Sequence, residues 1–406
     1  MSISHTGAWW RPCLALCALL AHSVLAEPNG DAEAAAIVSR ALQSHPEIRA
    51  AEAALEAARA HLRGAGLPLN NPELTVEAER TDIDTLRLGL SQTLDWHDKR
   101  GALEAAAEAR LSVAQARLDE LRLRLRAELF AALGRVVTQR EIVTLATRRE
   151  HLMRRFTDLA QQRLRAGDIA PTELGLARLS LAQARMQRAT RETARITAER
   201  DFQTLAGAPL PQRMRMPQPP AGGAGKALDL AALADHHPAV RAALAEAWLA
   251  RREARVADAT RKADPTFGIS AGREAGDDLL ALSLSLPLNL RNDFRAEVDA
   301  AAFKALAAEQ NAHQRRRALL SRLHAARASW KILDGAWRQW RDTGLSSLKR
   351  RFRLLERQWR AGEMNTSDYL IQVQQTLATR IAAIELRGER WAAWSEWLAA
   401  SGRETQ

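Results

Sequence analysis

The residues of this chain that could do chemistry form no recognisable catalytic or metal-binding set. None of the ten histidines is spaced as in a metal site. His236 and His237 are adjacent, so on a helix their side chains point apart. Glycine-rich residues 221–225 lack the lysine and the strand-to-helix setting of a phosphate-binding loop. The sequence therefore predicts that the protein is not an enzyme and that it binds no cofactor or metal. Its function has to be inferred from the arrangement of its helices and strands.

The elements of the chain are duplicated. One pair of motifs, Asp98-Lys99-Arg100 and Arg165-Ala166-Gly167-Asp168, recurs 195 positions later as Asp293-Phe294-Arg295 and Arg360-Ala361-Gly362-Glu363. Each pair encloses about 65 proline-free residues that are rich in strong helix formers such as Ala, Leu, Arg and Glu. A helix of that length spans roughly 100 Å. The sequence thus predicts an elongated molecule rather than an ordinary globule.

Proline and glycine divide the chain into two repeats, residues 27–206 and 227–406, joined by a Pro/Gly-rich linker, 207–226. Each repeat is predicted to begin with a helix that a His-Pro pair interrupts. Each long helix is predicted to end where a glycine can adopt the left-handed conformation. The predicted elements are the β-hairpins 72–96 and 265–290, the long helices 98–164 and 293–359, and the return helices 170–206 and 366–401.

The two β-hairpins follow Pro72 and Pro265. After each proline, apolar residues alternate with polar or small ones instead of recurring at helical spacing. The alternating residues are Leu74, Val76, Ala78, Leu86, Leu88 and Leu90 in the first hairpin, and Phe267, Ile269, Ala271, Leu280, Leu282, Leu284, Leu286 and Leu288 in the second. Each hairpin is therefore expected to have one apolar face.

Both long helices carry an apolar stripe typical of a coiled coil. The stripes comprise Leu111, Ala114, Leu118, Leu121, Leu125, Leu129, Ala132 and Val136 in the first helix, and Leu319, Leu323, Ala326, Trp330, Leu333, Trp337 and Trp340 in the second. They do not occupy equivalent positions of the repeat, which indicates that each helix buries more than one side. The tryptophans are predicted to be core residues rather than a ligand platform.

Residues 1–26 are predicted to be a cleaved secretory signal peptide. Arg11 precedes a short apolar run, and Val24-Leu25-Ala26 resembles a cleavage site. The run is too short to span a bilayer as a helix. Both cysteines, Cys13 and Cys17, lie within it, so the mature chain is expected to have no disulfide. Lipid attachment at Cys17 is an alternative that Leu16 disfavours, because lipoprotein processing needs a small residue there.

The formal net charge of +11 could indicate binding to nucleic acid or to an anionic membrane surface. The 59 basic residues are, however, interspersed with 48 acidic ones, as on the solvated faces of long helices. We therefore expect no nucleic-acid partner. The excess of arginine has no explanation in the sequence alone.

A secretory signal followed by strands of about ten residues with alternating apolar side chains is typical of an outer-membrane β-barrel. Hairpins packed on a soluble core would show the same alternation, but the flanking helices are too long to fold over so small a sheet. Four strands cannot close a barrel, and an open sheet edge cannot lie in lipid. If these strands enter a membrane, several chains have to share one barrel.

The order of elements in both repeats resembles the outer-membrane efflux protein (TolC-like) family across nearly the whole mature chain. Three segments near the first hairpin are similar to the heavy-metal efflux branch: Asn71-Pro72-Glu73-Leu74, Ser91-Gln92-Thr93-Leu94-Asp95 and Lys99-Arg100. The resemblance implies a mainly α fold with a small β part. It also implies a homotrimer, whose twelve strands form one barrel in the outer-membrane lipid and whose helices form an α-barrel through the periplasm.

The resemblance further implies a passive exit duct that works with a periplasmic adaptor and an inner-membrane pump, typically of the resistance-nodulation-division class. In the family, the turns between paired helices meet the adaptor. The matching residues here are Arg165, Gly167, Asp168, Arg360, Gly362 and Glu363. The duct is expected to carry heavy-metal cations, with selection occurring in the pump.

Asp368 matches the position of an acidic ring that often closes the periplasmic end in this family. Three such carboxylates at a constriction would attract cations and repel one another. The next inward position is Ile371, so a second acidic ring is not expected. Alternatively, Asp368 only stabilises the start of its helix through the helix dipole.

Other functions fit parts of the pattern. A multidrug efflux channel or a type I protein-secretion channel needs the same passive duct. A periplasmic coiled-coil adaptor belongs to a different class, but it normally has one helical hairpin flanked by small β-domains. The two hairpins of this chain favour the duct.

Overall fold

The computed structural model describes residues 30–80, 84–219, 228–274, 276–361 and 363–402. Within these ranges the chain is mainly helical with one small antiparallel sheet, which confirms the predicted fold class. The helices are α1 (Gly30–Ser44), α2 (Pro46–Ala65), α3 (Lys99–Ala166), α4 (Pro171–Ala206), α5 (Leu230–His236), α6 (Pro238–Thr260), α7 (Arg295–Gln339), α8 (Leu345–Arg360) and α9 (Thr366–Ser401). The strands are β1 (Glu73–Arg80), β2 (Asp84–Thr93), β3 (Thr266–Glu274) and β4 (Asp277–Ser285).

The predicted signal peptide, residues 1–26, lies outside the described residues, as do linker residues 220–226 and Gly362. No helix in the described part of the chain is both long and apolar enough to cross a membrane.

The two His-Pro pairs begin equivalent helices. His45 Nδ1 accepts the backbone N–H of Glu47 at 3.3 Å, and His237 Nδ1 accepts that of Ala239 at 3.1 Å. The following proline occupies the first helical turn, where its missing N–H costs nothing. Each pair thus ends one helix and caps the next.

The long helix of the first repeat is continuous for 68 residues, whereas its counterpart in the second repeat is not. The long helix predicted over residues 293–359 is present as α7 and α8, which follow each other without a gap but are separated by a π-helical turn, Trp340–Gly344, that was not predicted. The N–H of Leu345 donates to the carbonyl of Trp340, five residues earlier. The Trp340 ring lies where a Cβ on residue 344 would be, so this packing requires glycine there.

The two hairpins form one antiparallel sheet in the order β1-β2-β3-β4. The pairs Leu74–Leu90 and Ile269–Leu282 show that the apolar side chains of neighbouring strands share one face. This face is uncovered, and Leu282 is 82% exposed. β4 ends at Ser285, although the alternation predicted a strand to Leu288, because Pro287 has no N–H to donate to the ladder.

Helix α3 is the central helix and packs against α2, α4, α6 and α9. Its stripe residues Leu118, Leu125 and Leu129 are buried, and so is Trp330 of the second stripe. Trp337 and Trp340 are half-buried, so they do not form the core that their spacing predicted. The linker is anchored as well, since Leu210 and Met214 are buried in the same core.

Candidate functional site at the helical turns

The turn between α3 and α4 has a defined backbone geometry. Gly167 adopts the left-handed conformation with φ of 82°, as its sequence position predicted. The N–H of Asp168 donates to the carbonyl of Arg163 at 2.9 Å, and that of Gly167 donates to Leu164 at 3.1 Å. These two bonds form a Schellman motif, which satisfies the last carbonyls of α3. Arg165 and Asp168 are left exposed at the turn.

The turn between α8 and α9 repeats this geometry. The N–H of Glu363 donates to the carbonyl of Gln358 at 3.0 Å, the same spacing as the Asp168–Arg163 bond 195 residues earlier. Glu363 is exposed, and Arg360 is the last residue of α8. The long helical segment of each repeat therefore ends in a similar turn, with Arg165 and Asp168 exposed in the first and Glu363 exposed in the second.

Asp368 lies in the first turn of α9 and forms a reciprocal cap with Asn365, the residue before the helix. Its backbone N–H donates to Asn365 Oδ1 at 2.8 Å, and Asn365 Nδ2 donates to Asp368 Oδ2 at 2.8 Å. This arrangement stabilises a helix N-terminus. The first repeat has Ala170 at the equivalent place, with no side-chain cap. Asp368 is exposed, and so is Ile371 one turn further along.

A shared apolar cluster, the tip core, fixes the two turns at the same end of the molecule. It contains Leu145, Met153, Phe156, Ala160, Leu174, Ala177, Ala184, Leu355, Tyr369, Leu370, Val373 and Leu377. Leu164 and Ile169 beside the first turn, and Met364 beside the second, pack against it. The structure thus brings together the turn residues that the sequence predicted from separate repeats.

The end of the molecule that contains the turns is strongly basic. Residues 145–195 and their repeat equivalents 340–390 contain 21 Lys and Arg but only 11 Asp and Glu. These two segments, the tip segments, therefore hold a net charge of +10 out of +11 for the whole chain. The excess of arginine, unexplained by the sequence alone, is concentrated at this end.

Some charged groups in the tip segments and just before them are buried, which the sequence gave no reason to expect. Glu150 accepts ion pairs from Arg154 at 2.8 Å and Arg188 at 3.1 Å, which joins α3 to α4. Asp334 of α7, 4% exposed, pairs with Arg390 of α9 at 2.7 Å. Burial opposes ionisation of Asp334, but hydrogen bonds from Arg338 and Arg390 outweigh it and lower its pKa. These pairs fix the helices to one another.

Among the described residues, no group of His, Cys, Asp and Glu side chains could hold a metal ion. The turns instead provide charged, exposed surfaces on rigid helices. That arrangement can bind another macromolecule.

Comparison with known proteins supports this architecture. The family model for "Outer membrane efflux protein" matches residues 37–208 and 230–403, one match for each repeat. The chain is 25% identical to the cobalt-zinc-cadmium resistance protein CzcC of Cupriavidus metallidurans, over 90% of this chain and 89% of that protein.

Solved structures share the fold. A structure of CusC, described in terms of folding and transmembrane channel formation, is similar with a TM-score of 0.73 and 15% identity, over 91% of this chain and 92% of CusC. The CmeC outer membrane channel of Campylobacter jejuni is similar with a TM-score of 0.75 and 16% identity, over 91% of this chain and 85% of CmeC.

Proposed function

Because this chain belongs to the outer membrane efflux protein family, it is an outer-membrane efflux channel and not an enzyme, and we propose that it exports heavy-metal cations. Channels of this family generally work with an adaptor and an inner-membrane pump. We propose a periplasmic adaptor and a resistance-nodulation-division pump as these partners. The family assignment excludes the alternative that the chain is itself a periplasmic adaptor.

The observation that carries the duct assignment is the sheet at the end of long helices. Its apolar face is uncovered, and β1 and β4 are unpaired edges within the described strands. Unpaired backbone groups cannot lie in lipid, so in a bilayer these edges need strands from further copies. Three copies would supply twelve strands, which supports the proposed homotrimer.

The metal assignment rests on similarity to CzcC over nearly the full length of both chains. The name of that protein refers to resistance to cobalt, zinc and cadmium. These divalent cations are therefore the substrates to test first. A multidrug or protein-secretion channel remains the alternative, since a passive duct of this shape needs little substrate chemistry.

A deletion strain, grown on cobalt, zinc and cadmium salts alongside dyes and antibiotics, tests the metal assignment. We expect sensitivity to the metals alone, restored by the intact gene. Sensitivity to organic compounds alone would contradict metal export and favour a drug channel. An unchanged profile for metals and organic compounds, together with loss of a secreted protein, would favour the secretion channel.

We propose that the two turns contact the adaptor through Arg165, Gly167 and Asp168 of the first repeat and Arg360, Gly362 and Glu363 of the second. Arg165 and Asp168 support this, because they are exposed and form no ion pair among the described residues. We also propose that Asp368 contributes to a gate at this end, since three copies of its exposed carboxylate would meet in a trimer.

A further inference from the structure

The tip segments contain a groove that neither the turns nor the gate uses. It has a volume of about 730 Å³ and lies between α3, α8 and α9. Its floor is apolar, formed by Leu145 and Leu152 of α3, Leu348 of α8 and Leu377 of α9. The volume falls within the range of pockets that bind small organic molecules, roughly 300–1,000 Å³.

Apart from Thr376, the polar residues that line this groove are four arginines and one histidine. Arg148, His151 and Arg155 lie on one face of α3, because they are spaced by three and four residues. Arg353 of α8 and Arg380 of α9 complete the rim, and no carboxylate lines the groove. None of these four arginines forms an ion pair in the part of the chain that the structure describes.

The arginines of another cavity are paired with carboxylates. A cavity of about 270 Å³ beside α6 is lined by Arg315 and Arg322. The first pairs with Glu120 at 2.6 Å, and the second pairs with Glu396 at 2.5 Å. On α3 itself, Glu150 is buried on the side of α4 and pairs with arginines there. The four rim arginines are thus cations without an ion-pair partner among the described residues, and they surround an apolar surface.

We infer that this groove binds an amphipathic organic anion. The apolar floor would contact a hydrophobic body, while the arginines would donate charge-assisted hydrogen bonds to carboxylate, sulfonate or phosphate groups. The groove section of α3 spans only 11 residues, which suits a small molecule better than a long partner helix. This inference does not depend on which substrate the duct exports.

Binding of naphthalenedisulfonate to the full-length channel in neutral lipid nanodiscs, measured by equilibrium dialysis, tests the inference. Empty nanodiscs give the background, and uncharged naphthalenedimethanol has the same ring without the anionic groups. We expect saturable binding of the disulfonate and much weaker binding of the diol. No binding of the disulfonate, or equal binding of both compounds, would overturn the proposal.

Matched variants locate the site. Arg148→Gln/Arg380→Gln removes two charges from the rim, and the expected increase in Kd is about tenfold or more, because two charge-assisted hydrogen bonds are lost. Arg178→Gln/Arg350→Gln removes two exposed charges from the tip segments outside the groove lining, neither of which forms an ion pair with a described residue, and its Kd should stay within about twofold.

Equal losses in the two double variants would show that only the long-range charge matters and would overturn the groove assignment. Loss of adaptor binding in the rim variant, with unchanged binding of the disulfonate, would also overturn it, in favour of a protein helix as the occupant. Arg353→Gln, a single change on α8, provides an independent second variant and should also raise Kd.

Discussion

Asp368 combines two roles at the scale of a single residue. Its backbone and carboxylate form the reciprocal cap with Asn365, so the alternative of a helix-stabilising residue has direct geometric support. The exposed carboxylate can still contribute to a gate, because its hydrogen bond with Asn365 leaves it accessible to solvent and cations. Separating these roles needs a substitution that keeps the cap and removes the charge.

Asp368→Asn is such a substitution, since an asparagine can accept from Asn365 in the same way. If three carboxylates meet at the closed end, we expect divalent-cation block of single-channel current in planar bilayers to weaken by about tenfold or more, equivalent to ~1.4 kcal/mol. Glu173→Gln at the equivalent position of the first repeat is the matched control and should leave the block unchanged. Unaltered conductance and block in the Asp368→Asn channel would remove this residue from the gate.

At the scale of the element, each His-Pro pair shows how one short motif sets a helix boundary. His237 is buried, and besides capping α6 it contacts the carbonyl of Ala399 in α9 through Nε2 at 2.9 Å. Burial lowers its pKa, although the Ala399 carbonyl partly opposes this shift. The native state therefore binds fewer protons here than the unfolded chain does. Stability from this group is complete above the usual pKa of about 6.5 and declines as the pH falls below it.

His237→Asn keeps a side-chain oxygen for the cap but removes the titrating ring and the Ala399 contact. At about pH 7.5 we expect a lower melting temperature, by a few degrees, because one buried hydrogen bond is worth about 1 kcal/mol. Between about pH 7.5 and about pH 5.5 the variant should lose less stability than the wild type. The exposed neighbour His236→Asn is the control and should melt like the wild type at the higher pH. An identical pH-dependent decrease in the His237 variant would contradict this role.

The helices and strands were predictable from sequence where local chemistry alone decides them. Pro72 and Pro265 mark the change to alternating strands, and Gly167 marks the end of α3. The π-helical turn was not predictable, because Trp340 and Gly344 have the spacing of an ordinary helix until tertiary packing places the ring over the glycine. The groove was not predictable from the sequence either, because its rim comes from three helices and arginine is common on solvated helix faces.

At the scale of the whole molecule, the sheet is incomplete. The four described strands pair in sequence order, so they form a sheet whose closure depends on other copies. The described helices do not supply this closure, because none of them packs along the sheet. If β4 of one copy pairs with β1 of the next, every neighbouring pair of strands is antiparallel. A barrel joined in this way has an even number of strands whatever the number of copies. The family resemblance implies three.

Cysteine cross-linking between the edges of neighbouring copies tests this number. The predicted mature chain has no cysteine, so any disulfide that forms has to join two introduced cysteines. Thr75→Cys on β1 is combined in turn with Ala281→Cys, Ser283→Cys or Ser285→Cys on β4, which samples several registers on one face of the sheet. Residues opposite each other on antiparallel strands are about 4.5–5.5 Å apart, within reach of a disulfide.

Oxidation in the membrane should yield covalent dimers and trimers, and nothing larger, for at least one of these pairs. Thr75→Cys with Ser270→Cys is the matched control, because Ser270 is on the interior strand β3 and pairs with strands of its own chain on both sides. That control should remain monomeric. Dimers alone, or a ladder that extends beyond three chains, would contradict a closed trimer. The absence of cross-links in all three edge pairs would contradict edge-to-edge closure itself, and with it the physical basis for placing the uncovered sheet face in lipid.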